Sequence, residues 1–315
     1  MLPSTVHIPL ESSRILRSCY HCRRPQDATV QLKKCAGCRI VEYCSKECQK
    51  ASWPRHKPIC GTNCKILGEK ANTATLEVMV SYHGFKTISD ATEAFKVFLQ
   101  AHRWAINVHA TTSLRRKQGF NPAAGDVEDW VFMGTLQCLT TSQSRKRLDP
   151  ASAFRLVGER FVPMDEFKDS SDHRASLFEQ WSGPQREATT EMYKSQPRFF
   201  GTYPVVYKVG PMGLCTTTYY PFNAPNPAIL SLDEDKRHEV LDDLNSLAKE
   251  RPLNALPGRF VRSNKIWTWE PMFADWEAYM AADPRPHETV LLDDAIARLK
   301  SGIPIAKLFP WGHMI

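Results

Sequence analysis

Seven cysteines and one histidine between residues 19 and 60 have the spacing of metal ligands. They form two C-x2-C pairs, one C-x3-C pair and one H-x3-C pair, which are Cys19 with Cys22, Cys35 with Cys38, Cys44 with Cys48, and His56 with Cys60. A C-x2-C pair lets two thiolates bind one ion from a tight turn, and Gly37 is well suited to such a turn. Ligands four residues apart lie on one helical face. We therefore expect this segment to bind metal.

Eight ligands fill two tetrahedral sites and leave no position open for water or substrate. This pattern is typical of structural zinc and not of catalytic zinc. The segment has few large apolar side chains, whereas structural zinc contributes roughly 10–16 kcal/mol per ion at neutral pH. We therefore predict two structural Zn²⁺ ions per chain. The spacing alone allows either sequential ligation or an interleaved, cross-braced arrangement.

The complete string C-x2-C-x12-C-x2-C-x5-C-x3-C-x7-H-x3-C, with YCSKECQ, a tryptophan and HK inside it, resembles a MYND-type zinc finger. The resemblance covers residues 19–60 and fills every ligand position of the family. It implies interleaved ligation. One ion would then be bound by Cys19, Cys22, Cys44 and Cys48, and the other by Cys35, Cys38, His56 and Cys60.

The same resemblance implies a protein-interaction module that binds short, extended peptides containing proline and leucine. The residues that match the family's peptide groove are Gln49 and Trp53. Gln49 can bond both donors and acceptors of a peptide backbone, and Trp53 offers a flat face to proline or leucine. Packing over the zinc site is a second possible role for Trp53, and the two roles are compatible. The expected partners are proteins, not nucleic acids or membranes.

The basic charge of the finger raises a nucleic-acid-binding regulator as an alternative function. Residues 1–64 contain eleven Lys and Arg against four acids, whereas the rest of the chain has equal numbers of both. Seven thiolates and two zinc ions lower the charge of the folded finger to about +4. The basic residues alternate with metal ligands, and no base-reading helix stands out. We therefore expect a solvated basic surface that favours acidic partners.

A lysine methyltransferase of the SET class with an inserted MYND finger is the enzymatic alternative. Such an enzyme has part of its SET domain before the finger, whereas eighteen residues precede Cys19 here. The Asn-His pair and the trailing cysteine cluster of those enzymes are also missing. The sequence contains no G-x-S-x-G, H-E-x-x-H, phosphate-binding glycine loop or dinucleotide fingerprint. We therefore predict no catalytic residues and no enzymatic activity.

Short local elements must hold the metal ligands in place. TVQLKK and RIVEY, on either side of the second C-x2-C pair, predict a short hairpin. Ser45 is placed to cap a helix that begins at Lys46. Pro54 predicts that this helix breaks near Ala51 and that Ser52 caps a second short turn.

The composition is that of an ordinary globular chain, with 42% hydrophobic and 24% charged residues. There is no apolar run of the length that a membrane helix needs and no secretory signal, so we expect a cytoplasmic or nuclear protein. The predicted organisation is an N-terminal tail over 1–18, the finger over 19–60, a connection over 61–80 and a domain of unknown function over 81–315.

The larger region predicts an α+β domain with a small mixed or antiparallel sheet and several helices. Strands are predicted over 129–139, 154–164, 203–210 and 214–222, and helices over 89–119, 231–252, 270–282 and 287–302. The first helix has a buried face formed by Phe95, Phe98, Leu99, His102, Ile106 and His109. A capping box at Ser231 and Glu234 begins the second helix. This order, a finger followed by a domain with no agreed activity, is similar to that of many fungal MYND proteins.

The remaining chemically active residues have structural interpretations. His102 and His109 are expected to be core or edge histidines, and Cys215 a buried apolar residue. The acidic runs 233–235, 242–243 and 293–294 are expected on solvated faces. Cys64 could substitute for a ligand in a metal site, but its spacing fits neither site, and we leave it out.

Overall fold

The computed structural model describes residues 6–7, 19–22, 24, 29–68, 70–120, 127–139, 153–169, 183, 186–210, 212–250, 258–263, 266–274, 276–283 and 290–312. The predicted tail over 1–18, apart from Val6 and His7, lies outside these residues. So do residues 170–182 of the polar stretch that follows the second predicted strand.

Within the described residues, the chain forms nine strands and ten helices. The strands are β1 Val6–His7, β2 Lys33–Lys34, β3 Glu42–Tyr43, β4 Trp130–Cys138, β5 Phe154–Pro163, β6 Phe199–Val209, β7 Leu214–Asn223, β8 Gly258–Ser263 and β9 Ile266–Pro271. The helices are α1 Lys46–Gly68, α2 Lys70–Tyr82, α3 Ile88–Ala101, α4 Arg103–Gln118, α5 Met164–Asp169, α6 Pro227–Leu230, α7 Glu234–Glu250, α8 Trp276–Ala281, α9 Val290–Ala297 and α10 Ile305–Gly312. The predicted α+β class is confirmed.

The central sheet is mixed, with strand order β1-β7-β6-β4-β5. β4 runs antiparallel to β5 and parallel to β6, and β1 runs parallel to β7. All four predicted strands are present, and β6 begins four residues earlier than expected. Between β4 and β5 the register passes from Thr135–Gly158 to Leu136–Leu156, so that Val157 forms a bulge. One face of this sheet carries a core cluster formed by Val131, Met133, Val162, Phe167, Val206, Cys215 and Tyr219.

The described residues divide into two compact units. The first takes its residues from 1–100, 129–189 and 204–219, and the second from 101–128, 190–203 and 220–315. In the first unit, Phe85, Phe95 and Phe98 surround the ring of Phe154, with centroid distances of 6.4, 5.7 and 5.5 Å. Cys215 is buried in the core cluster of the sheet, as expected.

The predicted helix over 89–119 is in fact two helices, α3 and α4, because the chain leaves helical geometry at His102 with φ −102° and ψ 11°. The residues predicted on its apolar face are all buried. The hydrophobic periodicity was therefore correct, but it continues through the break. Neither glycine nor proline marks this position, so the sequence has no local signal for it.

The second unit is built around an apolar cluster on α4 and α7, with contributions from α6 and the C-terminal helices. Its members include Ala105, Val108, Val240, Leu241, Leu244, Leu247, Tyr279 and Leu308. His109 lies in this interior, with Nδ1 bonded to Oδ1 of Asn245, as expected of a core histidine. β8 and β9 form an antiparallel hairpin that the sequence did not predict.

Two expectations about α7 are wrong. Asp233, not Ser231, caps α7 by accepting a 2.8 Å bond from the amide of Lys236. Asp243 is buried and accepts 2.8 Å bonds from the amides of Lys300 and Ser301, so it is not part of a solvated face. Its carboxylate instead ties α7 to the segment that precedes α10.

Within the described residues, none of the helices is long and apolar enough to cross a membrane.

Candidate metal centres and peptide-binding face

A small hairpin positions four of the eight predicted ligands. β2 and β3 pair antiparallel, with Lys33 opposite Tyr43, which confirms the predicted hairpin in a shorter form. The amide of Cys35 donates to the carbonyl of Val41 at 2.8 Å and closes the hairpin around the second C-x2-C turn. The amide of Tyr20 donates to the carbonyl of Glu42 at 2.8 Å. This bond holds the first C-x2-C turn against β3.

Helix α1 supplies three more ligands, namely Cys48, His56 and Cys60. Ser45 caps it as predicted, since its Oγ accepts a 3.2 Å bond from the amide of Cys48. The predicted break near Ala51 is wrong, because α1 continues through Pro54 and Pro58 to Gly68. Interior prolines cost roughly 3 kcal/mol each, which is less than the roughly 10–16 kcal/mol of one structural zinc ion. Ligands on both sides of Pro54 can therefore stabilise a helix that its local sequence disfavours.

The first group of ligand atoms consists of the Sγ atoms of Cys19, Cys22, Cys44 and Cys48, which all lie within 4.8 Å of one another. The Sγ atom of Cys44 is 3.5 Å from that of Cys22 and 3.5 Å from that of Cys48. Four sulfurs bound tetrahedrally to zinc at 2.3 Å are separated by about 3.8 Å. These sulfurs are therefore already close to the positions that one zinc ion requires.

The second group consists of Cys35, Cys38, His56 and Cys60, again within 4.8 Å of one another and all buried. The Sγ atoms of Cys35 and Cys60 are 3.8 Å apart. Nε2 of His56 is 3.4 Å from Sγ of Cys35 and 3.6 Å from Sγ of Cys38. The imidazole thus presents Nε2 to the same point as the three sulfurs. This set is a Cys₃His zinc site.

The grouping is interleaved, since each set joins one C-x2-C turn of the hairpin region to ligands that come later in the chain. Both donor sets also suit zinc chemically. Burial lowers the pKa of His56 to about 4, so the imidazole is neutral and able to bind a metal at neutral pH. Burial raises the pKa of the Cys60 thiol, and the nearby thiolates of Cys38 and Cys35 raise it further. Crowded thiolates of this kind need a cation, and two zinc ions supply it.

Gly37 has a different role from the one that its spacing suggested. The positive φ in this turn belongs to Arg39, at 55°, and not to Gly37. A Cβ atom at Gly37 would instead lie 3.0 Å from Sγ of Cys60 and 3.2 Å from Sγ of Cys64. Glycine is therefore required because the sulfurs pass directly over its backbone.

The two predicted peptide-binding residues lie four residues apart on α1. Trp53 is 41% exposed, and its ring meets the ring of His56 edge to face at 5.9 Å. Nε2 of Gln49 donates to Sγ of Cys35 at 3.8 Å. Ser52 does not cap a turn, since its hydroxyl donates to Oη of the buried Tyr43 at 2.9 Å. The rings of Tyr20, Tyr43 and Trp53 all contact His56, so Trp53 both packs on the metal ligand and faces solvent.

Exposed basic side chains lie along the same face of α1. Lys46, Lys50 and Lys57 are exposed and recur with Gln49 and Trp53 at spacings of three or four residues. Glu47 is an exposed acid nearby, on the adjacent side of the first turn. The helix therefore presents one aromatic side chain within a row of positive charges.

Cys64 is the cysteine that the sequence analysis considered and left out of both metal sites. It is half-buried, and its Sγ atom is 3.8 Å from Sγ of Cys60, which precedes it by one helical turn. The available signal was the four-residue spacing between these two cysteines. That spacing is informative only if both cysteines lie on one helix, and the sequence did not predict that α1 continues beyond Cys60.

The finger is attached to α3 within the first unit. Nζ of Lys96 donates to the carbonyl of Ile40 at 2.8 Å, and Nζ of Lys34 donates to Oγ of Ser89. These bonds connect each side of the second C-x2-C turn to the helix that follows α2. The region that carries the ligands is therefore stabilised by hydrogen bonds to α3 as well as by the hydrogen bonds within the finger.

Comparison with known proteins identifies the same segment. Residues 19–60 match the family model of the MYND finger, with all eight ligands inside the match. The chain therefore carries a MYND finger with two zinc-binding clusters.

Several curated proteins are similar to this chain over the finger. The SET domain and MYND-type zinc finger protein 6 of Schizosaccharomyces pombe is 43% identical over 53 residues, which are 17% of this chain and 10% of that protein. The MYND-type zinc finger protein samB of Emericella nidulans is 44% identical over 54 residues, 16% of this chain and 9% of that protein. The SET domain-containing protein 14 of Caenorhabditis elegans is 41% identical over 59 residues, 19% of this chain and 14% of that protein.

The chain thus spans about a tenth of the length of these relatives. No solved structure matches the chain.

Proposed function

We propose that this chain is a zinc-stabilised adaptor whose finger binds short, extended peptides containing proline and leucine. The observation that carries the proposal is the position of Trp53, which is 41% exposed on a helix held by ligands of both clusters. A large aromatic side chain that packs on a metal ligand on one side and is exposed to solvent on the other is a suitable contact for proline or leucine. Its packing on His56 keeps the ring in place before a peptide arrives.

Gln49 supplies the polar part of this face. Its amide nitrogen donates to Sγ of Cys35, which fixes the orientation of the side chain. Oε1 is then the atom that would accept a bond from a peptide amide. Trp53 would select an apolar side chain, and Gln49 would hold the backbone next to it. The bond to Cys35 couples this contact to the second zinc cluster.

The charge on the same face indicates which peptides are favoured. Lys50 and Lys57 lie three and four residues from Trp53 on α1, Lys46 lies seven residues before it, and all three ammonium-bearing side chains are exposed. Attraction between these groups and carboxylates increases the rate of encounter and disfavours basic partners. We therefore propose that the preferred peptides carry Asp or Glu beside the proline or leucine.

We further propose that the chain has no catalytic activity of its own and acts in the cytoplasm or nucleus. Four protein ligands in each cluster leave no coordination position for substrate, which supports a structural role for the zinc. Reduced cysteines that bind metal are typical of those compartments. Methyl transfer from S-adenosylmethionine to a lysine peptide by the purified chain would contradict the first part. Secretion of a fluorescently tagged chain would contradict the second.

The proposal is tested by binding the full chain to an immobilised array of proline- and leucine-containing peptides. Trp53→Ala is expected to lower the affinity for these peptides at least about tenfold, because a central aromatic contact is lost. Two zinc ions should remain bound. Tyr82→Ala is the matched control, since Tyr82 is an exposed aromatic residue on α2, outside the finger. It is expected to leave binding unchanged.

Three results would overturn the proposal. Unchanged peptide binding by Trp53→Ala excludes the peptide-binding face. Loss of a zinc ion in Trp53→Ala would assign Trp53 to packing over the metal site instead. Salt-dependent binding of random duplex DNA, without peptide binding, would favour the nucleic-acid alternative that the exposed basic residues allow.

A further inference from the structure

A ninth potential zinc ligand lies beside the second cluster. Sγ of Cys64 is 3.8 Å from Sγ of Cys60, the same distance that separates Sγ of Cys60 from Sγ of Cys35. This distance matches the separation of about 3.8 Å between two sulfurs on one tetrahedral zinc ion. Cys60 and Cys64 are one turn apart on α1, so their side chains extend in the same direction.

Gly37 provides an independent reference point for the position of Cys64. An ideal Cβ atom at Gly37 would contact the sulfurs of Cys60, Cys64 and Cys35, at 3.0, 3.2 and 3.9 Å. The Cys64 sulfur therefore lies over the C-x2-C turn together with two ligands of the cluster. It is not one of the four atoms that lie within 4.8 Å of one another, so a change of its side-chain rotamer would be needed to reach the ion.

We propose that Cys64 is a reserve ligand of the second zinc site and can replace Cys60. In the exchange, the Cys64 thiol releases its proton and its sulfur binds zinc, while the Cys60 sulfur leaves the ion and takes up a proton. The ion keeps three thiolates and one imidazole throughout, so the charge of the site does not change. No oxidant or further metal takes part.

The first cluster offers a contrast within the same finger. Of the eight cysteines up to residue 64, seven are ligands of the two clusters, and Cys64 is the one that remains. Cys138 and Cys215 lie in β4 and β7 of the sheet. The first cluster therefore has no reserve thiol in a comparable position. Substitution of one of its ligands is the control for substitution of Cys60.

The test counts zinc ions in purified full-length variants after dialysis against a weak chelator. Cys60→Ser is expected to keep two zinc ions per chain, whereas Cys60→Ser with Cys64→Ser keeps one, and Cys44→Ser keeps one. One zinc ion in Cys60→Ser, or two in the double variant, would overturn the proposal. In Cys60→Ser, alkylation of Cys64 by iodoacetamide should also be slow, because its sulfur is bound to zinc. Fast alkylation of Cys64 would contradict the proposal.

A second measurement avoids variants that lose a ligand. A short pulse of iodoacetamide on the unsubstituted chain is expected to label Cys60 several-fold faster than Cys35 and Cys38, because exchange releases Cys60 from the ion. Cys64→Ala should remove that difference while both zinc ions stay bound. Equal labelling of Cys60 in the two proteins excludes the exchange, whatever the result for Cys60→Ser.

Discussion

Gly37 shows how a single residue controls the second zinc site. A methyl group at this position meets the sulfurs of Cys60 and Cys64 at 3.0 and 3.2 Å, and zinc prevents the Cys60 sulfur from moving away. We expect Gly37→Ala to destabilise the finger by about 1–3 kcal/mol and to release one zinc ion more readily than the other. Titration with a chromophoric chelator would measure both effects.

Gly61→Ala is the control for that substitution. Gly61 lies on α1, one residue after Cys60, and a Cβ atom there has no neighbour within 4 Å. Alanine should therefore stabilise the helix by up to about 1 kcal/mol and leave zinc affinity unchanged. Equal effects of the two substitutions would contradict the steric role of Gly37.

The lysine side chains beside Trp53 lead to a second prediction at this scale. Lys50→Glu together with Lys57→Glu should lower the affinity for peptides with acidic flanks by about 3–10-fold at low salt. This effect should decrease as salt is added. Lys33→Glu on β2 is the control, because Lys33 is exposed but lies away from α1 in sequence. Fluorescence anisotropy over a range of ionic strength would measure the difference. A loss that does not depend on salt would show that the lysines act through something other than charge.

At the scale of residues, the spacing of cysteine and histidine identified the eight residues of the two groups, and the resemblance to the MYND finger was needed to divide them between two sites. Ligand chemistry limits which residue types and spacings can bind zinc, so the pattern carries most of the information. The position of Cys64 and the steric role of Gly37 depend on how α1 crosses the C-x2-C turn. Neither can be derived from spacing.

Among the structural elements, α7 shows two neighbouring carboxylates with opposite roles. Asp243 is buried and accepts two backbone bonds, whereas Asp242 is partly exposed and pairs with Arg116. Asp243→Ala should lower the free energy of unfolding by about 3 kcal/mol, because two backbone amides lose their buried acceptor. Asp242→Ala should cost less than about 1 kcal/mol. Urea denaturation followed by tryptophan fluorescence compares the two, and similar losses would contradict the structure.

Most elements were predicted by hydrophobic period and turn chemistry, and the exceptions have physical causes. α1 passes through Pro54 because ligands on both sides of it hold the chain, a tertiary effect that overrides local propensity. The break at His102 has no glycine or proline to mark it. Asp233 caps α7 instead of Ser231, since both residue types favour that position and sequence alone does not decide between them.

For the molecule as a whole, zinc should order the finger without determining the fold of the sheet. The core cluster on the sheet contains no residue of the finger, so its packing does not depend directly on the metal. Chelation of both ions is expected to increase hydrogen exchange across residues 29–60, while β4 and β6 stay protected. Mass-spectrometric exchange at neutral pH would measure this. Loss of protection throughout the sheet would show that the finger is required for the entire first unit.

Acid should release the zinc through the thiols and not through the imidazole. Zinc binds thiolates, so metal binding displaces protons, and the burial that raises the pKa of Cys38 and of Cys60 strengthens this competition. The stabilisation from zinc is therefore present at neutral pH and is lost as pH falls. His56, whose pKa burial lowers to about 4, stays neutral over most of that range.

The log of the zinc association constant at the second site should fall by at least about two for each unit of pH below neutrality, because Cys38 and Cys60 each take up a proton. Competition with a chelator of known affinity at several pH values would measure the slope. A slope near one, with its midpoint at the pKa of an imidazole, would contradict this assignment.

The interleaved ligation also means that the finger does not depend on an unbroken backbone to stay in one piece. If a protease cuts one peptide bond anywhere between Cys19 and Cys60, at least one ion still joins the two pieces, because the ligands of the clusters alternate along the chain. Sequential ligation would leave a cut between Cys38 and Cys44 with no ion across it. A nicked finger should thus migrate as a single species in a native gel and separate into fragments once its zinc has been extracted.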